Sequence, residues 1–141
     1  MEKKAKSVQG KIFEPGDIER TILKTINYEY PSRKIIVELT TDEFTSLCPF
    51  SGLPDFARIS VRYIPRKKFI ELKSLKYYFY AYRSVKIYNE HVINKILEDL
   101  KKTLMPREIT VIGEFTSRGG IKNTVTASDR GRRNGGRKDE G

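Results

Sequence analysis

Between Asn89 and Leu104 the apolar residues recur with helical stride: Val92, Ile96, Leu100 and Leu104 step by four, and Ile93 and Leu97 widen the stripe. Lys95, Asp99, Lys101 and Lys102 lie largely outside it, and Pro106 ends it. A helix of this kind needs an apolar surface to cover, and the flanking segments have the period of strands. Ile59, Val61 and Tyr63 alternate with Arg58, Ser60 and Arg62, while Ile109, Val111, Gly113 and Phe115 alternate with Thr110, Ile112 and Glu114.

Two further strands and one helix complete the pattern. Lys34 to Thr40 is β-branched and apolar, and Ile121 to Thr126 follows the turn signal Arg118-Gly119-Gly120. Lys67 to Glu71 continues extended. Leu75, Phe79 and Tyr82 mark an aromatic helix from Ser74, its expected N-cap, to about Arg83. The order strand, strand, helix, helix, strand, strand predicts an α+β domain, a four-stranded antiparallel sheet covered on one face by two helices. Free edges and a partly apolar outer face predict self-association. Residues 1–33 read as an N-terminal extension, with Asp17 as the cap of a short helix. Residues 34–126 form the folded domain and 127–141 a basic, disordered tail.

Composition limits the function classes. A chain of 141 residues suits one domain. A single cysteine forms no internal disulfide, no signal-peptide pattern opens the chain, and no apolar run approaches the ~20 residues of a membrane span, so a cytoplasmic protein is expected. The net charge of +10, concentrated partly at the ends, suits RNA or a phosphorylated cofactor equally. One cysteine and one histidine, His91, argue against a closed zinc site.

Two stretches carry candidate chemistry. Cys48 lies in a stretch rich in turn formers, Glu43 to Asp55, with a carboxylate seven residues on. A lone cysteine reads either as a small buried hydrophobe or as a nucleophile with Asp55 as its proton partner. Lys73 and Lys76, three apart at a helix start, read either as a solvated basic face or, with the helix N-terminus, as a phosphate holder.

The octapeptide Glu71-Leu72-Lys73-Ser74-Leu75-Lys76-Tyr77-Tyr78 resembles the signature of the NADPH-dependent nitrile oxidoreductases of queuosine biosynthesis, the 7-cyano-7-deazaguanine reductases. The stretches Glu43 to Pro49, Gly52 to Ala57 and Phe115 to Gly120 are similar to the same family, in order and at its spacing. The resemblance implies the tunnelling fold, in which ββααββ units assemble into barrels, and a homodecamer of two stacked pentamers with sites between subunits. GTP cyclohydrolase I is similar in fold but relies on zinc; no metal is expected here.

The resemblance also implies roles. Cys48 matches the nucleophile that adds to the nitrile carbon, and Asp55 the general acid/base, expected to be partly buried. Glu90 matches the residue that recognises the deazaguanine, Asn89 stands beside it, and Ile70, Glu71 and Leu72 match a segment lining the base. Lys73, Ser74, Lys76 and Arg118 fall where NADPH contacts are expected. Family members often carry His-Glu where this chain has Asn89-Glu90, so the family histidine's proton handling does not carry over to His91, which lies ~200° around the helix. The expected partners are a small deazaguanine nitrile and further copies of the chain, with no membrane and no stable nucleic-acid partner. Two other readings are an archaeosine-forming amidinotransferase, against which the intact Glu71 to Tyr78 signature argues, and a non-enzymatic RNA-binding module, which leaves the Cys48 loop unexplained.

Overall fold

The structure is a computed structural model and describes residues 14–131. Six strands run in order: β1 Thr25–Asn27, β2 Val37–Leu47, β3 Pro54–Ile64, β4 Lys68–Ile70, β5 Glu108–Arg118 and β6 Ile121–Asp129. Helix α1, Leu72–Tyr80, continues into a 3₁₀ turn, Ala81–Ser84, and helix α2 spans Asn89–Leu104. The main sheet is antiparallel in the order β2-β3-β5-β6, and β1 pairs with β4 beside it. Both helices come from the middle of the chain, and α2 lies against β5 and β6. This is the α+β arrangement expected from the periodicities. Among the described residues no helix is long and apolar enough to cross a membrane.

One face of the sheet carries the core. Ala57, Ile59, Val61 and Tyr63 on β3 and Ile109, Val111, Gly113 and Phe115 on β5 are buried and lie opposite one another in the register. Helix α2 adds Val92, Ile93, Ile96, Leu97, Leu100 and Leu104, the stripe read from the sequence. Gly113 is where α2 comes closest: a Cβ there would stand 2.5 Å from Ile93 Cδ1. The β5–β6 connection is the two-residue turn Gly119-Gly120, both at positive φ, as a tight hairpin twisted with its strands requires.

Several boundaries differ from the sequence reading. Strand β2 runs on to Leu47, so Glu43 to Leu47 is strand and the Cys48 loop is only residues 48–53. A bulge explains the difference. Thr41 pairs with Ile59 and Phe44 with Ala57, so three steps on β2 meet two on β3, and Asp42 and Glu43 both stay exposed. The alternation changes phase there, which in sequence looks like its end. Helix α1 begins at Leu72, capped by Glu71 rather than Ser74. Asp17 ends a 3₁₀ turn, Pro15–Asp17, and its carboxylate accepts from Glu14 N. Strand β6 extends three residues beyond Thr126, with Ala127 packed against the core, so the expected disordered tail does not begin at Ala127; residues 132–141 of that tail and residues 1–13 lie outside the described residues. Ile18 and Leu23 are buried in the core, so this part of the N-terminal stretch packs on the domain. The outer sheet face mixes Phe56, Ile64 and Ile112 with hydroxyl pairs Thr40–Ser60 and Thr110–Ser128 and the Arg58–Asp42 ion pair.

Asp99, read from the sequence as outside the apolar stripe, is buried. The Tyr78 hydroxyl lies 2.6 Å from Asp99 Oδ2 and 2.9 Å from the Tyr82 hydroxyl, and Lys95 Nζ donates to the same carboxylate at 3.1 Å. Burial pushes the phenols of Tyr78 and Tyr82 well up, reinforced by the Asp99 charge. This chain ties α1 to α2 through groups that have little water to fall back on. Tyr78→Phe is expected to cost about 1–3 kcal/mol in urea unfolding, because it leaves Tyr82 and Asp99 short of a partner. The raised phenols also fix a sign. Folded Tyr78 and Tyr82 stay neutral while unfolded phenols ionise near pH ~10, so their contribution is complete below that pH and is lost as pH rises above it. The alkaline decline measured by thermal unfolding should be shallower in Tyr78→Phe.

Candidate active site

The Cys48 loop joins β2 to β3. Cys48 N donates to Leu53 O at 2.8 Å and Gly52 N to Cys48 O at 2.8 Å, closing residues 48–53 into a compact turn. Ser51 N points at the sulfur, 3.5 Å away. Ser51 Oγ accepts from Leu53 N at 3.2 Å, which leaves the hydroxyl hydrogen to donate elsewhere. The Ser51 hydroxyl, then the Ser51 and Phe50 amides, hold the Cys48 thiol below its ordinary pKa, against opposing effects of burial and the Asp55 charge. A thiol stabilised as thiolate is a nucleophile near neutral pH. Ser51 and the Phe50 amide were absent from the sequence reading; the signal was a serine three residues after the cysteine, followed by glycine, inside a turn.

Asp55, the second residue of β3, stands opposite Ser46 on β2 and shares its face with Ala57, Ile59 and Val61, so it points toward the helices. Its side chain is only 14% exposed, the partial burial expected of it. Arg118, at the end of β5, donates through Nη2 to Asp55 Oδ1 at 2.8 Å and to Pro54 O at 2.6 Å.

The first residues of α2 reach the same end of the sheet. Leu47 N donates to Val85 O and Ile87 N to Leu47 O, so residues 85–87 run parallel to the end of β2 and deliver Tyr88, Asn89 and Glu90 beside the cysteine loop. Asn123 Nδ2 donates to Glu90 Oε2 at 3.2 Å, and Asn123 pairs with Phe115, itself paired with Ala57, two residues from Asp55. Glu90 is exposed, with its other oxygen open to accept, and the buried Asn89 Oδ1 has no partner. His91 is exposed and lies edge-on to Tyr88. Cys48, Asp55, Asn89, Glu90 and Arg118 therefore belong to one end of the sheet in one chain.

The octapeptide does not join them. Strand β3 carries the chain away from this end before β4 and α1, and α1 lies beside the middle of β2. Leu72, Lys76 and Tyr80 line an open groove of about 440 Å³ with Thr41, Asp42 and Glu43. Cys48 lies six steps along the chain from Asp42, just past the end of β2, on the order of 20 Å. Here Tyr63 Oη accepts from Ile70 N at 2.9 Å, fixing the approach to the helix. Glu71 accepts from Lys73 N at 3.0 Å and Ser74 N at 2.8 Å, and the Ser74 amide holds its carboxyl below the usual range. The buried Ser74 hydroxyl donates to Glu71 O and accepts from Lys24 N. The Lys73 and Ser74 amides at the helix start are thus taken by Glu71, and the exposed cationic groups there are Lys73 and Lys76, the latter with its ammonium 5.3 Å from the centre of the Tyr77 ring.

The lowered Cys48 thiol makes a prediction. The rate of alkylation by iodoacetamide should reach half its limit at a pH below that of an ordinary thiol, and Ser51→Ala should move this midpoint upward and slow the reaction at pH 7.

Comparison with known proteins agrees with the geometry. The family model described as QueF-like protein matches residues 54–134, more than half of the chain and inclusive of Asp55, the octapeptide, Glu90 and Arg118. The NADPH-dependent 7-cyano-7-deazaguanine reductase of Caldanaerobacter subterraneus subsp. tengcongensis is 54% identical over 110 residues, covering 78% of this chain and 82% of the relative. The protein of the same name from Chloroherpeton thalassium is 50% identical over 76% of this chain and 92% of its own. The crystal structure of the archaeosine synthase QueF-Like in its apo form shares the fold at a TM-score of 0.64 and 28% identity, covering 70% of this chain and 96% of that one. Fold, ordered motifs and identities at this level place the chain in the QueF-like family, among relatives named NADPH-dependent 7-cyano-7-deazaguanine reductase.

Proposed function

We propose that this chain is an NADPH-dependent 7-cyano-7-deazaguanine reductase, converting the nitrile to the aminomethyl product in queuosine tRNA modification. The observation that carries the reading is a thiol whose pKa is lowered by its own loop, with a partly buried carboxylate near the start of the adjacent strand. The Cys48 sulfur adds to the nitrile carbon; one π pair moves to nitrogen and takes a proton from Asp55, leaving a thioimide. NADPH, when bound, supplies the two hydrides of the reduction, one from each of two molecules. Over the whole reaction the nitrile gains two hydrides and two protons, and the C–S bond breaks before the second reduction, returning the Cys48 sulfur as the leaving group. The archaeosine-forming reading shares the thioimide but consumes no NADPH.

Recognition falls to Glu90, with one oxygen held by Asn123 and the other free to accept from N–H groups of the base, and to Asn89, whose buried Oδ1 is a ready acceptor. The donor set beside α1 fits a phosphorylated cofactor: Lys73 and Lys76 are cations reachable by its phosphates, while Ser74 acts as a clamp on the helix start. Arg118, at the Cys48 end, is the cation that would meet the cofactor from the other side of the site. Ile70, Glu71 and Leu72 would line the base. Because these residues stand apart from Cys48 within one chain, a complete site draws them from a neighbouring subunit. Among the described residues β2 and β6 are the edge strands of the sheet, β2 being bonded on its outer side only at Leu47, and with exposed Phe50, Leu53 and Phe56 around the loop they suit a homo-oligomer of the decameric kind. Residues 34–126, with the end of β6, act as the cytoplasmic catalytic unit.

Incubation with the nitrile alone should add the substrate mass to Cys48, detected by intact and peptide mass spectrometry. With NADPH present, two equivalents should be consumed per nitrile. Cys48→Ala should lose both signals with an unchanged far-UV spectrum; turnover in that variant would sink the reading.

A further inference from the structure

Ser46 is fully buried, and its hydroxyl has no hydrogen-bond partner. Buried hydroxyls normally find partners, because leaving one unmade costs more than an ordinary hydrogen bond gains. Ser46 is on the helix-facing side of β2, in phase with the buried Phe44, and its register partner on β3 is Asp55. Side chains directly opposite in an antiparallel pair have Cβ atoms ~4.5–5.5 Å apart, so a rotation about one side-chain bond brings a serine hydroxyl to an aspartate oxygen. That bond is not made here. Asp55 is held instead by Arg118, whose Nη2 also donates to Pro54 O and whose side chain is half exposed.

We propose that Asp55 has two alternative holders: Arg118 in the ligand-free chain, and the Ser46 hydroxyl once an anionic group of the cofactor draws Arg118 away. Ser46 is then a positioning residue acting through Asp55. It keeps the carboxyl beside the cysteine loop in the state in which the acid/base is needed. A guanidinium offers phosphate the same bidentate match it offers carboxylate, so the two anions compete for Arg118. The hydroxyl left without a partner in the free chain is the cost of having the second holder in place. The importance of this exchange for turnover rests on the reductase reading; the exchange itself does not.

Two measurements on the full chain separate these. In urea unfolding without ligands, Ser46→Ala should leave the folding equilibrium constant unchanged or raise it, since no bond is lost. In an Arg118→Ala background, where Asp55 is free to turn to Ser46, the same substitution should lower it by about fivefold. Equal effects in the two backgrounds would overturn the proposal. In adduct formation with saturating nitrile, Ser46→Ala should slow the reaction about tenfold when NADP⁺ is present and leave it unchanged when NADP⁺ is omitted. Equal slowing in both conditions would indicate a merely structural serine and also overturn the proposal. If the natural chain forms no adduct at all, the reductase reading fails, and the unfolding cycle alone decides the role of Ser46.

Discussion

One extra residue in β2 governs what this sheet can do. Up to Thr41 the odd-numbered residues of β2 turn toward the helices; after the bulge at Asp42 and Glu43 the even-numbered ones do. The shift buries Phe44 against Tyr82, with ring centroids 5.3 Å apart, and keeps two adjacent carboxylates in water. Without it, Glu43 would face the core and Phe44 the solvent, a reversal that no side-chain rotation repairs. The same phase places Ser46 opposite Asp55 on the helix side and brings the strand to its end at the cysteine loop. Core packing and site geometry thus depend on a single irregularity.

The polar groups divide into those that hold the fold and those that remain available. Tyr78, Tyr82, Asp99 and Lys95 saturate one another between the helices; Glu71 and Ser74 close the start of α1; Tyr63 holds Ile70. Such closed networks define a unique arrangement because each member would be costly to strand. At the Cys48 end the pattern reverses. Asn89 and Ser46 keep buried oxygens without partners, Glu90 has one oxygen free, and Arg118 shares one nitrogen between two acceptors. Two of the three buried side-chain atoms without a partner among the described residues are gathered here, the third being Arg107 Nε at the opposite end of the sheet, and such unsatisfied capacity is what a polar, hydrogen-bonding ligand requires.

Much of this was legible from residue order. The stripe of α2, the alternation of β3 and β5, and the Gly119-Gly120 turn appear where their periods and turn chemistry predicted, because each is set by local geometry. The strand character of Glu43 to Leu47 was hidden by the bulge, which mimics a strand end. Asp99 was misread because a carboxylate outside the apolar stripe ordinarily faces water, and only its partners on α1 make burial tolerable. The cap of α1 moved from Ser74 to Glu71 because the helix starts three residues earlier, where the Glu71 carboxylate takes the Lys73 and Ser74 amides and leaves the Ser74 hydroxyl to Glu71 O and Lys24 N.

The sequence by itself determined the fold class, the family, and the residue types at each candidate position, since these rest on short-range periodicity and on motifs that survive in linear order. Only the tertiary structure decided which of those residues meet. It joined Cys48, Asp55, Glu90 and Arg118 at one end of the sheet, and it set Glu71 to Tyr78 beside the middle of β2 instead. Proximity between residues far apart in the chain follows from strand register, a bulge and a parallel contact at Leu47, and none of these has a local signature strong enough to be read in advance.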